Sequence, residues 1–105
     1  MAKESDPRRL GDLSGIGKAM LEDFKLLRIT TVDELAQADP DRLYEELCDR
    51  TQTRQDPCVL DTFRCAVAQA KDPRLPAAQC NWWYWSGLRK SGKLPPAPPR
   101  PFPGG

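Results

Sequence analysis

The sequence predicts an all-α fold, and three observations carry that expectation. Apolar residues recur at helical spacing, helix-start punctuation recurs along the chain, and no segment has the four or more alternating β-branched positions of a half-buried strand. The chain has 105 residues, a length that suits one small domain with a marginal core.

The elements follow in order. Asp6-Pro7, Asp39-Pro40, Asp56-Pro57 and Asp72-Pro73 each set a capping carboxylate before a proline whose missing N–H is harmless in a first helical turn. Thr31-Val32-Asp33-Glu34 is a capping box. Leu21, Phe24 and Leu27 or Leu26 lie about three apart; Leu43, Tyr44 and Leu47 share a face; Val59, Leu60, Phe63, Val67 and Ala70 form a longer stripe. These signals predict helices at about 7–13, 17–27, 32–37, 40–50 and 57–70, joined by short connections.

Beyond residue 72 the character changes. Trp82-Trp83-Tyr84-Trp85 is followed by Arg89, Lys90 and Lys93, and six of the eleven prolines fall in the last eleven residues. At least two of the four aromatics are expected to dock on the core, with base stacking by an exposed remainder as the alternative. The proline-rich end has too little apolar area to order itself and is expected to be extended and mobile.

Charge is unevenly placed. Residues 1–30 carry six basic and five acidic groups, residues 31–70 four and nine, and residues 71–105 six and one. The net +1 therefore hides an acidic middle and a basic end, which suits a polyanion bound on one side. With no histidine, Ser-His and Cys-His catalysis and His-containing zinc sites are excluded. Cys48, Cys58, Cys65 and Cys80 lack Cys-x-x-Cys spacing and are expected to be small core residues and free thiols, the alternative being a metal or redox cluster. No segment has the apolar run of a signal peptide or a membrane span, so a cytoplasmic location is expected.

The most informative stretch is Leu13-Ser14-Gly15-Ile16-Gly17-Lys18-Ala19. Gly15 can take the positive φ that closes a tight turn, and Ile16 would point inward. Gly17 lets a bulky anion approach where the next helix starts. The unpaired N–H groups of Gly17, Lys18 and Ala19, the helix dipole and the Lys18 charge together make a phosphate-sized anion site without a catalytic residue. Lys25 and Arg28 extend the candidate surface along the helix, and Arg8 and Arg9 offer another edge. The alternative is a capping turn that binds nothing, with Lys18 captured by Asp12 or Glu22.

Leu-x-Gly-Ile-Gly followed by a helix resembles the helix-hairpin-helix motif of DNA-binding and DNA-repair proteins, with Ser14 where a proline is common. Together with Thr31–Leu35, Leu43–Cys48, Asp56–Val67 and the Trp82-Trp83 pair, residues 8–90 resemble the bacterial pathogenicity-locus family, some members of which are named mitomycin resistance proteins. The resemblance implies a compact bundle of about five short helices, SAM-like or a degenerate double hairpin, with a disordered Pro-rich C-terminal tail. It divides the chain into an N-terminal extension, 1–6; a domain, 7–90, with hairpin 8–28, a degenerate second hairpin 40–70 and an aromatic segment 80–86; and a tail, 91–105. The second connection, Thr51–Gln55, has no glycine, so that hairpin is expected to pack without holding phosphate.

The expected function is non-enzymatic, sequence-nonspecific binding of the DNA backbone through Gly15, Gly17, Lys18, Ala19, Lys25 and Arg28, weak and salt-sensitive, with a link to DNA damage or drug resistance. No cofactor, metal or membrane partner is expected. The alternative is a protein-interaction module that recruits a repair or replication partner.

Overall fold

The computed structural model describes residues 7–97; the 1–6 extension and residues 98–105 of the proline tail lie outside them. Among the described residues there are five α-helices and no strand: α1 Lys18–Leu26, α2 Val32–Ala36, α3 Pro40–Thr51, α4 Pro57–Lys71 and α5 Trp82–Lys90, with 3-10 turns at Leu10–Asp12 and Ala77–Gln79.

The local signals explain most of these boundaries. Thr31 Oγ1 accepts the Glu34 N–H while Glu34 reaches back to the Thr31 N–H, closing the capping box at the start of α2. Asp39 and Asp56 accept N–H groups of Asp41 and Cys58 at 2.9 and 2.8 Å, starting α3 and α4. Asp72-Pro73 behaves differently: Asp72 accepts the Arg74 N–H at 2.9 Å, and no α-helix follows directly. Pro76 arrives three residues later and pushes Leu75 out of the helical region, which stops propagation. The helix expected at 7–13 is reduced to the single turn Leu10–Asp12; Leu10 and Leu13 are buried, and the exposed Gly11 between them is a weak helix former.

The fold is organised around α4, against which α2, α3 and α5 pack. Phe24, Leu35, Tyr44, Leu47, Leu60 and Phe63 are completely buried, and the Phe24 and Phe63 rings meet at 5.7 Å. Cys48 and Cys65 are buried, Cys58 and Cys80 half-buried, and all four are free thiols. Burial pushes the Cys65 thiol up to about 11, so it is protonated at neutral pH. Among the described residues no three His, Cys, Asp or Glu side chains converge as metal ligands, and no helix is long and apolar enough to cross a membrane.

The sequence signals predict no helix over the aromatic segment, and α5 occupies it. Asp61, fully buried on α4, receives a two-pronged contact from Arg89, Nε to Oδ1 and Nη2 to Oδ2, both at 2.9 Å. The expected docking of at least two aromatics on the core is corrected: Trp82, Trp83 and Tyr84 are exposed, and Trp85 is half-buried, its indole N–H donating to the Gln79 carbonyl at 2.8 Å. Consecutive helical positions diverge by about 100°, and α5 buries Ser86 and the Arg89 ion pair against α4 instead. Beyond α5, Arg64 donates to the Pro95 carbonyl at 2.9 Å and Ala97 is buried, so the described start of the proline-rich segment lies against the core.

Candidate nucleic-acid interface

The turn before α1 has the geometry its residues predict. The Ile16 N–H donates to the Leu13 carbonyl at 3.3 Å, and Gly15 has φ +84°, a combination strained for any residue with a β-carbon. Ile16 is buried, while Gly15, Gly17, Lys18 and Ala19 are all exposed. Gly17 caps α1 in extended conformation, φ −98°, and has no side chain to satisfy the first-turn N–H groups. A β-carbon there would meet no atom within 4 Å. Neither backbone strain nor packing requires glycine at 17, and its absent side chain leaves the helix terminus open.

Three of the other helix starts are closed by side chains, whereas Asn81 at the start of α5 makes no side-chain cap. Thr31, Asp39 and Asp56 fill the first-turn donors of α2, α3 and α4 with their own oxygens, and the Asp56 carboxylate stands where α1 has Gly17. The second connection also lacks an open turn: Gln52 closes α3 at φ 54°, and the Tyr44 hydroxyl donates to the Gln55 carbonyl.

The charged neighbours of Lys18 are engaged elsewhere. Asp12 accepts the Arg9 N–H at 2.8 Å and Glu22 pairs with Lys25 at 3.6 Å; among the described residues no carboxylate pairs with Lys18. Lys25, seven residues on, shares its face about 10 Å along the helix, and its pair with Glu22 is solvent-exposed and weak. A groove of about 800 Å³ runs between the Leu10–Asp12 turn and α1, with Arg9, Lys18 and Lys25 on its walls. Arg28 is not gathered into this group. It sits at the far end of α1, roughly 16 Å along the axis from Gly17, and closes the helix in left-handed conformation, φ 62°, while Ile29 N–H reaches back to the Phe24 carbonyl at 2.9 Å. Arg8 is structural as well: its guanidinium donates to the Gln69 and Ala70 carbonyls at 3.0 and 3.2 Å, capping the end of α4.

One residue that holds the site carries no signal in the sequence. Gln69, buried on α4, accepts the Ser14 N–H and donates to the Ser14 carbonyl, each at 2.9 Å. It fixes the turn from 55 residues away, beyond the reach of any local pattern.

No solved structure matches the chain. The "Mitomycin resistance protein McrB" of Streptomyces lavendulae is 37% identical over 86 residues, which cover 82% of this chain and 78% of that protein. The family model described as "Pathogenicity locus", Cdd1, matches residues 3–91. With nearly the whole described domain inside that match, the chain belongs to the pathogenicity-locus family.

Proposed function

We propose that this protein is a non-enzymatic, helix-hairpin-helix-like module that grips the sugar-phosphate backbone of DNA without reading sequence, and that this binding underlies a role in drug resistance. The observation that carries the reading is the open start of α1: an uncapped first turn, a glycine that the fold itself does not need, and Lys18 beside it without a carboxylate partner among the described residues. Backbone N–H groups and a lysine supply a binding site for one set of phosphate oxygens, and the reading gives the Asp12 and Glu22 carboxylates on the same groove no chemical role. Lys25 and Arg9 on the groove walls add contacts to neighbouring phosphates. The resistance role is supported by the relative named for mitomycin resistance.

With two or three phosphates engaged, affinity falls with salt at a log–log slope of about −2 to −3. The decisive variant is Gly17→Asp. An aspartate at this extended position caps α1 with its own carboxylate, as Asp39 and Asp56 cap α3 and α4, so stability rises by a few tenths to about 1 kcal/mol. The same carboxylate occupies and repels the phosphate, and duplex binding is lost. Lys18→Glu weakens binding to every sequence alike and Arg54→Glu, at the closed second connection, does not. Unchanged duplex affinity in Gly17→Asp at low salt refutes the reading.

A further inference from the structure

We infer that α5 carries a stacking platform for unpaired bases, centred on Trp83, at the same end of α4 as the phosphate-binding turn; the inference rests on the backbone-binding reading and names the form of DNA bound. Trp83 is the most exposed large apolar side chain of the described residues, at 61%. Trp82 braces it edge-on, with ring centroids 6.0 Å apart and planes at 83°, an arrangement that holds the Trp83 ring while leaving it open to solvent.

The helix keeps the space next to that ring clear. Gly87, one turn on, lies in the interior of α5, where glycine is destabilising relative to alanine, yet a β-carbon there would meet nothing within 4 Å. Packing does not require it. Lys90 follows on the same face a further turn along, so the surface runs from an aromatic ring across a gap without a side chain to a cation.

Two observations select nucleic acid as the occupant. Residues 73–97 contain Arg74, Arg89, Lys90 and Lys93 and no carboxylate; Arg89 pairs with Asp61 and Lys90 lies near the Asp56 carboxylate of α4, and the segment keeps a positive balance through Arg74 and Lys93. The second observation is placement. α5 runs antiparallel to α4: Arg89 pairs with Asp61, and four residues back Trp85 donates to the same Gln79 carbonyl that Cys65 contacts, four residues on. Continuing that register sets the Trp82 end of α5 level with Gln69, the residue that holds Ser14 of the turn. The ring and the phosphate site therefore lie at the same end of α4. A duplex held by its backbone at the turn presents a single-stranded extension or a splayed end to Trp83, and stacking there tolerates any base.

The test uses the full chain and three probes at low salt: a blunt duplex, the same duplex with a short thymidine tail, and the same duplex with an abasic tail of equal length and charge. All three tryptophans lie in α5, so intrinsic fluorescence reports on this helix alone. The thymidine tail is expected to tighten binding roughly tenfold over the other two probes, with quenching. Trp83→Ala removes the gain and keeps blunt-duplex affinity; Trp83→Phe retains most of it; Lys18→Glu weakens all three probes. Equal affinity for the three probes, an abasic tail as effective as thymidine, or a gain that survives Trp83→Ala overturns the platform and leaves backbone binding intact. Absence of blunt-duplex binding by the wild-type chain overturns the backbone reading and the platform with it.

Discussion

Gln69 holds Ser14 by both of its backbone polar groups, its amide oxygen taking the N–H and its amide nitrogen giving to the carbonyl, each at 2.9 Å. The side chain of a buried α4 residue thus sets the position of an exposed turn. Gln69→Ala leaves both groups without their partner and is expected to cost about 1–3 kcal/mol in denaturant unfolding, with weaker duplex binding than the stability loss alone explains. A cost of only a few tenths would mean that the Leu13–Ile16 hydrogen bond suffices to hold the turn.

Gln52 ends α3 with φ 54° while the Thr53 N–H reaches back to the Cys48 carbonyl at 3.1 Å. This is the helix-end arrangement that glycine favours, and a β-carbon there costs about 1 kcal/mol. Gln52→Gly is expected to raise stability by up to that amount and leave DNA binding unchanged, since the proposed interface does not include the closed second connection. An equilibrium melt showing a loss would indicate that the Gln52 amide, which donates to the Asp49 carbonyl, outweighs the backbone strain.

The Asp61–Arg89 pair is the main polar tie between α4 and α5, with Asp61 fully buried. Breaking one side strands the other, so Asp61→Ala is expected to destabilise by about 3–5 kcal/mol, whereas Asp61→Leu with Arg89→Met recovers much of the loss. Because the tryptophans are confined to α5, their emission should shift toward that of the unfolded chain at lower denaturant in the single variant. A double variant no better than Asp61→Ala would show that the fork geometry itself is required.

Acid should unfold the domain partly through Glu34. Its carboxylate accepts the Thr30 N–H and hydroxyl at 2.7 Å and the Thr31 N–H at 3.2 Å, and these bonds, the Thr30 N–H foremost, hold its pKa below the ordinary 4.5. A carboxylate lowered in the folded state stabilises above its unfolded value and loses that contribution as pH falls toward the folded one. Asp56 acts in the same sense, lowered first by the Cys58 N–H and more weakly by nearby Arg89 and Lys90. Asp23, raised by burial and by Glu22, acts in the opposite sense. Melting temperature is expected to drop below about pH 4.5, and Glu34→Gln should be less stable at neutral pH and less steep in acid. An identical acid profile for wild type and Glu34→Gln would contradict the assignment.

How much of this was legible depends on the range of the interaction. Caps at Thr31, Asp39 and Asp56, the inward Ile16 and the positive φ of Gly15 involve residues within about four positions of each other, where spacing encodes geometry directly. The two misjudged ends fail for local reasons too: Pro76 cancels the start written at Asp72-Pro73, and α5 hides in the sequence because its buried face carries Ser86 and Arg89 in place of an apolar stripe. A helix held to its neighbour by an ion pair leaves no hydrophobic period to find.

The sequence by itself determined an all-α chain, a glycine turn opening onto a helix with a lysine at its start, and an acidic middle before a basic end. The tertiary structure decided which of those features are available. Arg8 is consumed at the end of α4, Arg28 is carried to the far end of α1, Lys18 keeps no carboxylate partner among the described residues, and Trp83 faces solvent. The reason is physical: a donor's chemistry is written in its residue type, but whether another group has already claimed it depends on packing between residues that are 28, 55 or 61 positions apart, and no local pattern carries that information.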